Sequence, residues 1–468
     1  MTKCLVFISA LLVLAFTLTL EETVFIELQG GLSDLYYTAK VNVGTPASQR
    51  LVVVDTASDM LAFPCDSCPN CGPHANKKFL TDKSSTFGLQ LNCPRKDTRG
   101  GHPVCIFSRV FAEGSALSGF LGSDYLRFKT AIPDPTSLVG KSSLAIKAEF
   151  GCSTFEEGKI KDQPADGIVG LNNHSSFLKS LEEDSGLHVS VGLCLAEQGG
   201  AMLIGPQLKL KQSDQFSIDF DRKESSYISS LKGFSVASGE NIDSQINVVF
   251  DSGTTFNHFP PTQLAELLKE INIFCKAEEG RCAAAEKELE EGNCWTLSLP
   301  DPVFASEKEL IASFPTIHLS FDSQSVFELR PKNYLYLSKK DSDTANRKVC
   351  LGLYTTRNHD FAVLGTLALI DHFTVFDRQE NKIKGYEADC SLLPSTYQPG
   401  IGQGRMLLEV PKQLKTKEAF VAFSIFVVIF IFILKCQKSS RKRNRFSLEQ
   451  NLEEVDEVDD ERPRSTSI

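Results

Sequence analysis

A duplication restricts this chain more than any other feature. In residues 51–68, LVVVDTASDMLAFPCDSC, a β-branched run ends in Asp55 and is followed by Thr56, Ala57 and Ser58. Residues 246–260, INVVFDSGTTFNHFP, repeat the pattern with Asp251, Ser252, Gly253 and Thr254. A carboxylate at the end of a buried strand is costly unless it is paired or used chemically. Each aspartate is followed by a second matched element, ADGIVGL at 165–171 and FAVLGTL at 361–367. Gly170 lies 115 positions after Asp55, and Gly365 lies 114 after Asp251. A repeat of that length is a duplicated domain rather than a solenoid unit. It suggests a pseudo-twofold site between two halves, with one carboxylate from each.

The chain has 468 residues, 42% of them apolar, enough to bury two lobes of roughly 150 to 200 residues each. We place their bounds at 21–205 and 206–395. The net charge of −10 is spread along the chain without a basic face, which argues against a nucleic-acid partner. Short β-rich runs bounded by Gly, Pro, Asn, Asp or Ser dominate: YYTAKVNVG, RLVVVDT, AMLIG, QFSIDF, INVVFD, TIHLSF and HFTVFD. Helical patterns are few: SFLKSLEED, PTQLAELLKEINIF and AAAEKELEE. The fold class is therefore all-β, mainly strands with small helices.

Both ends read as targeting segments. Residues 1–20 have a basic start and an apolar stretch, as in a secretory signal peptide. Residues 419–434 are 16 positions without a charge, short for a membrane span but flanked by Lys417 and Lys435, which can snorkel. Basic residues concentrate after that stretch, so the positive-inside rule predicts a single-pass type I protein with a lumenal or extracellular body. Residues 396–418 then form a juxtamembrane linker, and 435–468, ending in an acidic block, a disordered cytosolic tail. Of fourteen cysteines, twelve remain once Cys4 and Cys436 are set aside, which favours up to six disulfides in an oxidising compartment. Spacing does not give their pairing. Cys65, Cys68, Cys71 and His74 read as a stapled loop, with a zinc site as the alternative.

No H-E-x-x-H, G-x-S-x-G or G-x-G-x-x-G occurs. GKS at 140–142 resembles the end of a phosphate loop, but Pro135 stands where its first glycine belongs. What remains is the aspartate pair. VVVDTAS and VVFDSGT, each with its downstream glycine element, resemble the two active-site loops of pepsin-like aspartic proteases. YYTAKVNVGTP from Tyr36 and the segment VLGTLALIDHFTVFDRQENKIKGYEADC, ending at Cys390, extend the likeness over nearly the whole body. FPCDSCPNCGPH and FAEGSALSG resemble the plasmepsin V group most, with membrane-anchored β-secretases a more distant comparison.

The resemblance implies a bilobal pepsin-like fold and an endopeptidase in which Asp55 and Asp251 share one proton and activate a water. No cofactor or metal is implied, polypeptides are the substrates, and the body is a monomer. It further implies that Thr56 and Ser252 bond across between the loops, while Ser58 and Thr254 support the carboxylates. A β-hairpin flap over the cleft would run from Arg109 to Phe120, with Phe111 at the usual tyrosine position, Gly114 in the turn and Glu113 near the tip. Glu113 is a candidate for reading a basic substrate side chain, or else a solvated turn carboxylate. Two departures bear on activity: Ala57 stands where the family has glycine, and Phe111 lacks a hydroxyl. They motivate a competing reading, an inactive relative that binds peptides as a receptor. Only residues 21–35 separate the signal from the first matching strand, so no basic inhibitory prosegment is expected. Asn173, in NHS, is a candidate glycosylation site.

Overall fold

A computed structural model describes residues 24–392 except 100, 130–142, 187, 206–207, 209–213, 278–281, 283–289, 297–305, 323–324, 339–347 and 357–360. The segments read as signal, linker, membrane span and tail lie outside the described residues, as does most of AAAEKELEE. Among the described residues no helix is long and apolar enough to cross a membrane.

The β-branched runs form strands. In the first half these are β1 (Val24–Gly31), β2 (Tyr36–Val43), β3 (Ser48–Asp55), β4 (Leu61–Pro64), β5 (His102–Val110), β6 (Ala116–Lys129), β7 (Ser143–Glu157) and β8 (Gly167–Gly170). Two further strands, β9 (Ser190–Leu195) and β10 (Gln198–Gly205), lead toward the second half. There β11 (Ile242–Phe250) and β12 (Phe361–Leu364) repeat the roles of β3 and β8, and β13 (His372–Asp377) and β14 (Lys382–Glu387) follow. All seven runs picked from sequence are strands. Two of the three helical patterns are helices: α2 (Ser176–Ser185), after the short α1 (Lys159–Asp162), and α3 (Pro261–Lys276). Ser175 caps α2 by accepting from Leu178 N. Pro261 opens α3, where a missing N–H costs nothing.

One sheet crosses from half to half. Its order runs Phe216–Asp219, β14, β13, β9, β10, β1, β2, β3, β8, β4, β7, β6, β5. The β9–β13 pairing therefore sews the two halves together by backbone hydrogen bonds. Residues 24–31, between the proposed signal and the first matching strand, are an interior strand of that sheet, paired with β10 and β2. A second sheet of seven strands carries β11 and β12 in the C-terminal half.

The cysteines staple this frame at six places. Cys65–Cys152 joins the end of β4 to β7, and Cys194–Cys390 joins β9 to the residues after β14. Cys68–Cys71, Cys93–Cys105, Cys275–Cys282 and Cys294–Cys350 close shorter loops. This removes the zinc alternative, because Cys65, Cys68 and Cys71 are all oxidised and His74 has other partners.

The seam between the halves also holds a buried histidine. His372, at the start of β13, packs against Phe216 and Phe327, and burial drives its pKa down to about 4, the Ile370 carbonyl opposing. A depressed histidine contributes stability that is complete above its unfolded value near 6.5 and is lost as pH falls through the folded value. His372→Phe is therefore expected to flatten the acid side of the stability curve between pH 6.5 and 4, by roughly 2 kcal/mol, read by thermal melts across that range.

Candidate active site

Strand periodicity aims the aspartates. Val52 and Val54 point into the main core, whereas Val53 joins Met60, Phe107, Leu117, Ile160 and Ile168 in a separate cluster beneath the β5–β6 hairpin. Side chains alternate along a strand, so Asp55 emerges on the side of Val53, toward the hairpin. In the second half Val248 and Phe250 face the core, which sends Asp251 the other way with Val249.

The downstream glycines then bring the loops into place. β8 pairs in parallel with β3, placing Gly170 beside Asp55, and β12 pairs in parallel with β11, placing Leu364 beside Phe250. Gly170 N donates to Met60 O and Leu171 N to Asp55 O. In the second half Thr366 N and Leu367 N donate to Thr254 O and Thr255 O. A Cβ on Gly170 would sit 2.4 Å from Met60 N, and one on Gly365 2.4 Å from Phe256 O, so only glycine permits either approach.

Between the loops the hydrogen bonds are reciprocal. Thr56 N donates to Ser252 Oγ at 3.1 Å, and Ser252 N to Thr56 Oγ1 at 2.9 Å. Thr56 Oγ1 donates onward to Phe250 O and Ser252 Oγ to Val54 O. Each carboxylate is also oriented by its own loop: Ala57 N donates to Asp55 Oδ1 at 2.8 Å, and Gly253 N to Asp251 Oδ1 at 2.7 Å. Thr254 Oγ1 donates to Asp251 Oδ2 at 2.6 Å. Its counterpart Ser58 lies beside Asp55, but its buried hydroxyl closes no hydrogen bond.

The two carboxylates converge. The position of a Cβ on Gly253 lies 2.7 Å from Asp55 Oδ1 and 3.1 Å from Asp251 Oδ1, so the two carboxylates flank Gly253 as close neighbours. Burial, then the Asp251 charge, push the Asp55 carboxyl well above the ordinary range. Asp55 is 5% exposed while Asp251 is half-buried, so the site opens to solvent on the second-half side. Ala57 is not among the residues with positive φ, so its methyl causes no backbone strain. That removes one of the two motives for an inactive relative.

β5 and β6 form the expected hairpin. Its turn closes with Phe111 N donating to Ser115 O and Gly114 N to Phe111 O, and Gly114 takes φ +96°. Phe111 packs on the cluster beneath, beside Tyr36 and Leu121. Glu113 is exposed at the tip. Sequence reasoning missed the tether that anchors this hairpin: Arg109 grips Asp59 with two parallel hydrogen bonds of 2.9 and 2.7 Å. The partners are 50 positions apart, and no local signal connects them.

The sequon resolves differently from its pattern. Asn173 is 8% exposed, and its amide nitrogen already donates to Arg222 O and Glu224 O. The atom a glycan would occupy is committed inside the fold. The folded body is expected to carry no glycan at Asn173. A mass shift there after enzymatic deglycosylation would show that this contact is not formed.

Two domain profiles match the chain, described as Xylanase inhibitor N-terminal over residues 37–206 and Xylanase inhibitor C-terminal over 232–384. With a bilobal mainly-β body and paired aspartate loops, the chain belongs to the pepsin-like aspartic protease family. Among similar proteins are Plasmepsin V of Plasmodium falciparum (isolate 3D7), 22% identical over 76% of this chain and 71% of the relative, and Aspartyl protease family protein 1 of Arabidopsis thaliana, 25% identical over 79% and 70%. Aspartic proteinase 36 of Arabidopsis thaliana is 23% identical over 76% and 74%.

Proposed function

We propose that this chain is an aspartic endopeptidase that hydrolyses polypeptides with a water held between Asp55 and Asp251. The observation that carries the reading is the approach of the two carboxylates to each other beside Gly253, with the Asp55 acid raised by burial and by its neighbour. In such a pair one carboxylate takes a proton from the water as its oxygen attacks the peptide carbon, while the protonated partner donates to the carbonyl oxygen. The tetrahedral intermediate collapses by breaking the C–N bond, and the amine leaves with a proton returned by the pair. The hydrogen-bonded loops hold both acids in place, so little reorganisation is needed during reaction.

The hairpin above the pair is the flap, Phe111 and Gly114 belong to its substrate-facing turn, and Glu113 offers a carboxylate to a basic substrate side chain. A type I membrane anchor at 419–434 would hold the body on the lumenal or extracellular side. The receptor reading now rests on the missing hydroxyl of Phe111 alone. Incubating the purified body with a peptide library, beside Asp55→Asn and Asp251→Asn, separates the two. Cleavage by the wild type alone supports the protease, whereas peptide binding without cleavage at any pH supports the receptor.

A further inference from the structure

The flap turn rests on a built support. Ser115, 2% exposed, closes the turn through its carbonyl, and its hydroxyl accepts from Ile160 N of α1 at 3.4 Å. Just before α1, a Cβ on Gly158 would sit 2.8 Å from the same hydroxyl, so turn and helix are in direct contact. On its other side α1 lies against the cysteine-stapled loop of residues 65–79. A Cβ on Gly72 would overlap Lys161 O at 1.6 Å, and Ala75 N donates to Pro164 O. Within this contact His74 and Glu156 form an ion pair of 2.7 Å, their side chains 3% and 2% exposed. His74 Nδ1 meets Gln163 O at 3.1 Å, and Glu156 also accepts from Gly72 N.

We propose that His74 and Glu156 are positioning residues for the protease described above: their pair fixes α1, and through Ser115 the flap turn, at the height that receives substrate. The proposal rests on the protease reading but is tested apart from it. Both partners of the imidazole, a carboxylate and a carbonyl, are acceptors only, so His74 must carry both protons to satisfy both. A neutral ring donates once and leaves one buried acceptor unmet. Burial opposes the charge, but Glu156, the Gln163 carbonyl and Asp166 together hold His74 above its ordinary value. The other charged groups nearby are engaged or outward: Lys161 donates to Asn70, Lys78 to Cys68 O, and Lys159, Glu157 and Asp162 are exposed. A raised histidine gives a latch that is complete below pH 6.5 and is released as pH rises through the folded value.

The test compares KM and kcat of wild type, His74→Gln and Gly72→Ala from pH 5 to 8, with thermal melts to establish folding. The ratio of variant to wild-type KM is used because changes in the aspartate pair cancel in it. For His74→Gln that ratio is expected near 10 at pH 5 and to fall toward 1 as pH rises through the folded value of His74, where the wild type also loses the latch, with kcat at pH 5 within about threefold. Gly72→Ala, which wedges loop from helix while leaving both ionisable side chains in place, should give a raised ratio that does not change with pH. If His74→Gln does not fold, Glu156→Gln reads the same ratio. A ratio near 1 throughout, or one independent of pH in the His74 or Glu156 variant, overturns the proposal. If the wild type cleaves nothing, the protease reading fails on its own. The same ratio, measured as Kd for a hydroxyethylene peptide isostere, then still decides the positioning role.

Discussion

Asp55→Asn is expected to lower kcat at least about 10³-fold and yet to melt higher than the wild type at neutral pH. The loss follows from removing one of the two groups that exchange protons with water and peptide. The gain follows from the same geometry. Burial and Asp251 raise the Asp55 carboxyl above its unfolded value, so its contribution to stability is complete below about pH 4 and is lost as pH climbs through the raised value. Asparagine carries no such charge. The melting difference should therefore be small at pH 4 and grow toward pH 8, reaching roughly 1 kcal/mol or more, about 2 °C in a protein of this size. Melts and single-turnover assays on one set of samples check both halves. An inactive variant with unchanged melting at every pH would mean that the Asp55 charge is not confined.

Gly253→Ala should be far more damaging than Ala57→Gly, although the two positions correspond in the repeat. An added methyl at 253 would stand 2.7 Å from Asp55 Cγ and 3.1 Å from Asp251 Oδ1, in collision with both acids. Such contacts force the acids apart or exclude the water, and a loss of about 10² to 10³ in kcat is expected. Ala57 already carries its methyl without positive φ, and its N–H still reaches Asp55. Removing that methyl should change kcat less than about threefold and cost at most about 1 kcal/mol of stability through added chain freedom. Steady-state kinetics of the two variants side by side decide the matter. Equal effects would show that the two loops are more alike than their contacts.

The paired loops also mark where sequence and structure part. The aspartates and their glycines were legible because the chain states them twice, and chance does not reproduce spacings of 115 and 114. The strands were legible because short β-rich runs, several alternating in burial as at Phe216–Asp219 and Ile317–Ser320, are bounded by turn residues. Ala57 was ambiguous, since a residue letter does not report φ. The cysteine cluster was ambiguous for a related reason: Cys68–Cys71 is a local pair, but Cys65 reaches 87 positions to Cys152, a distance that only the folded chain sets. Arg109–Asp59 and His74–Glu156 were invisible because each joins residues from different elements whose separations follow no period. Asn173 shows the reverse case, a motif whose acceptor atom is already engaged.

The shared sheet constrains how the molecule must be made. β9 finishes near residue 195, yet its neighbour β13 begins at His372, so one edge of a long sheet waits unpaired while nearly two hundred residues are still to emerge. Such an edge is a template for wrong partners, which makes this wait the vulnerable interval in biosynthesis. Cys194 sits on that waiting edge, and oxidation with Cys390 locks the arrangement once the last strand has arrived.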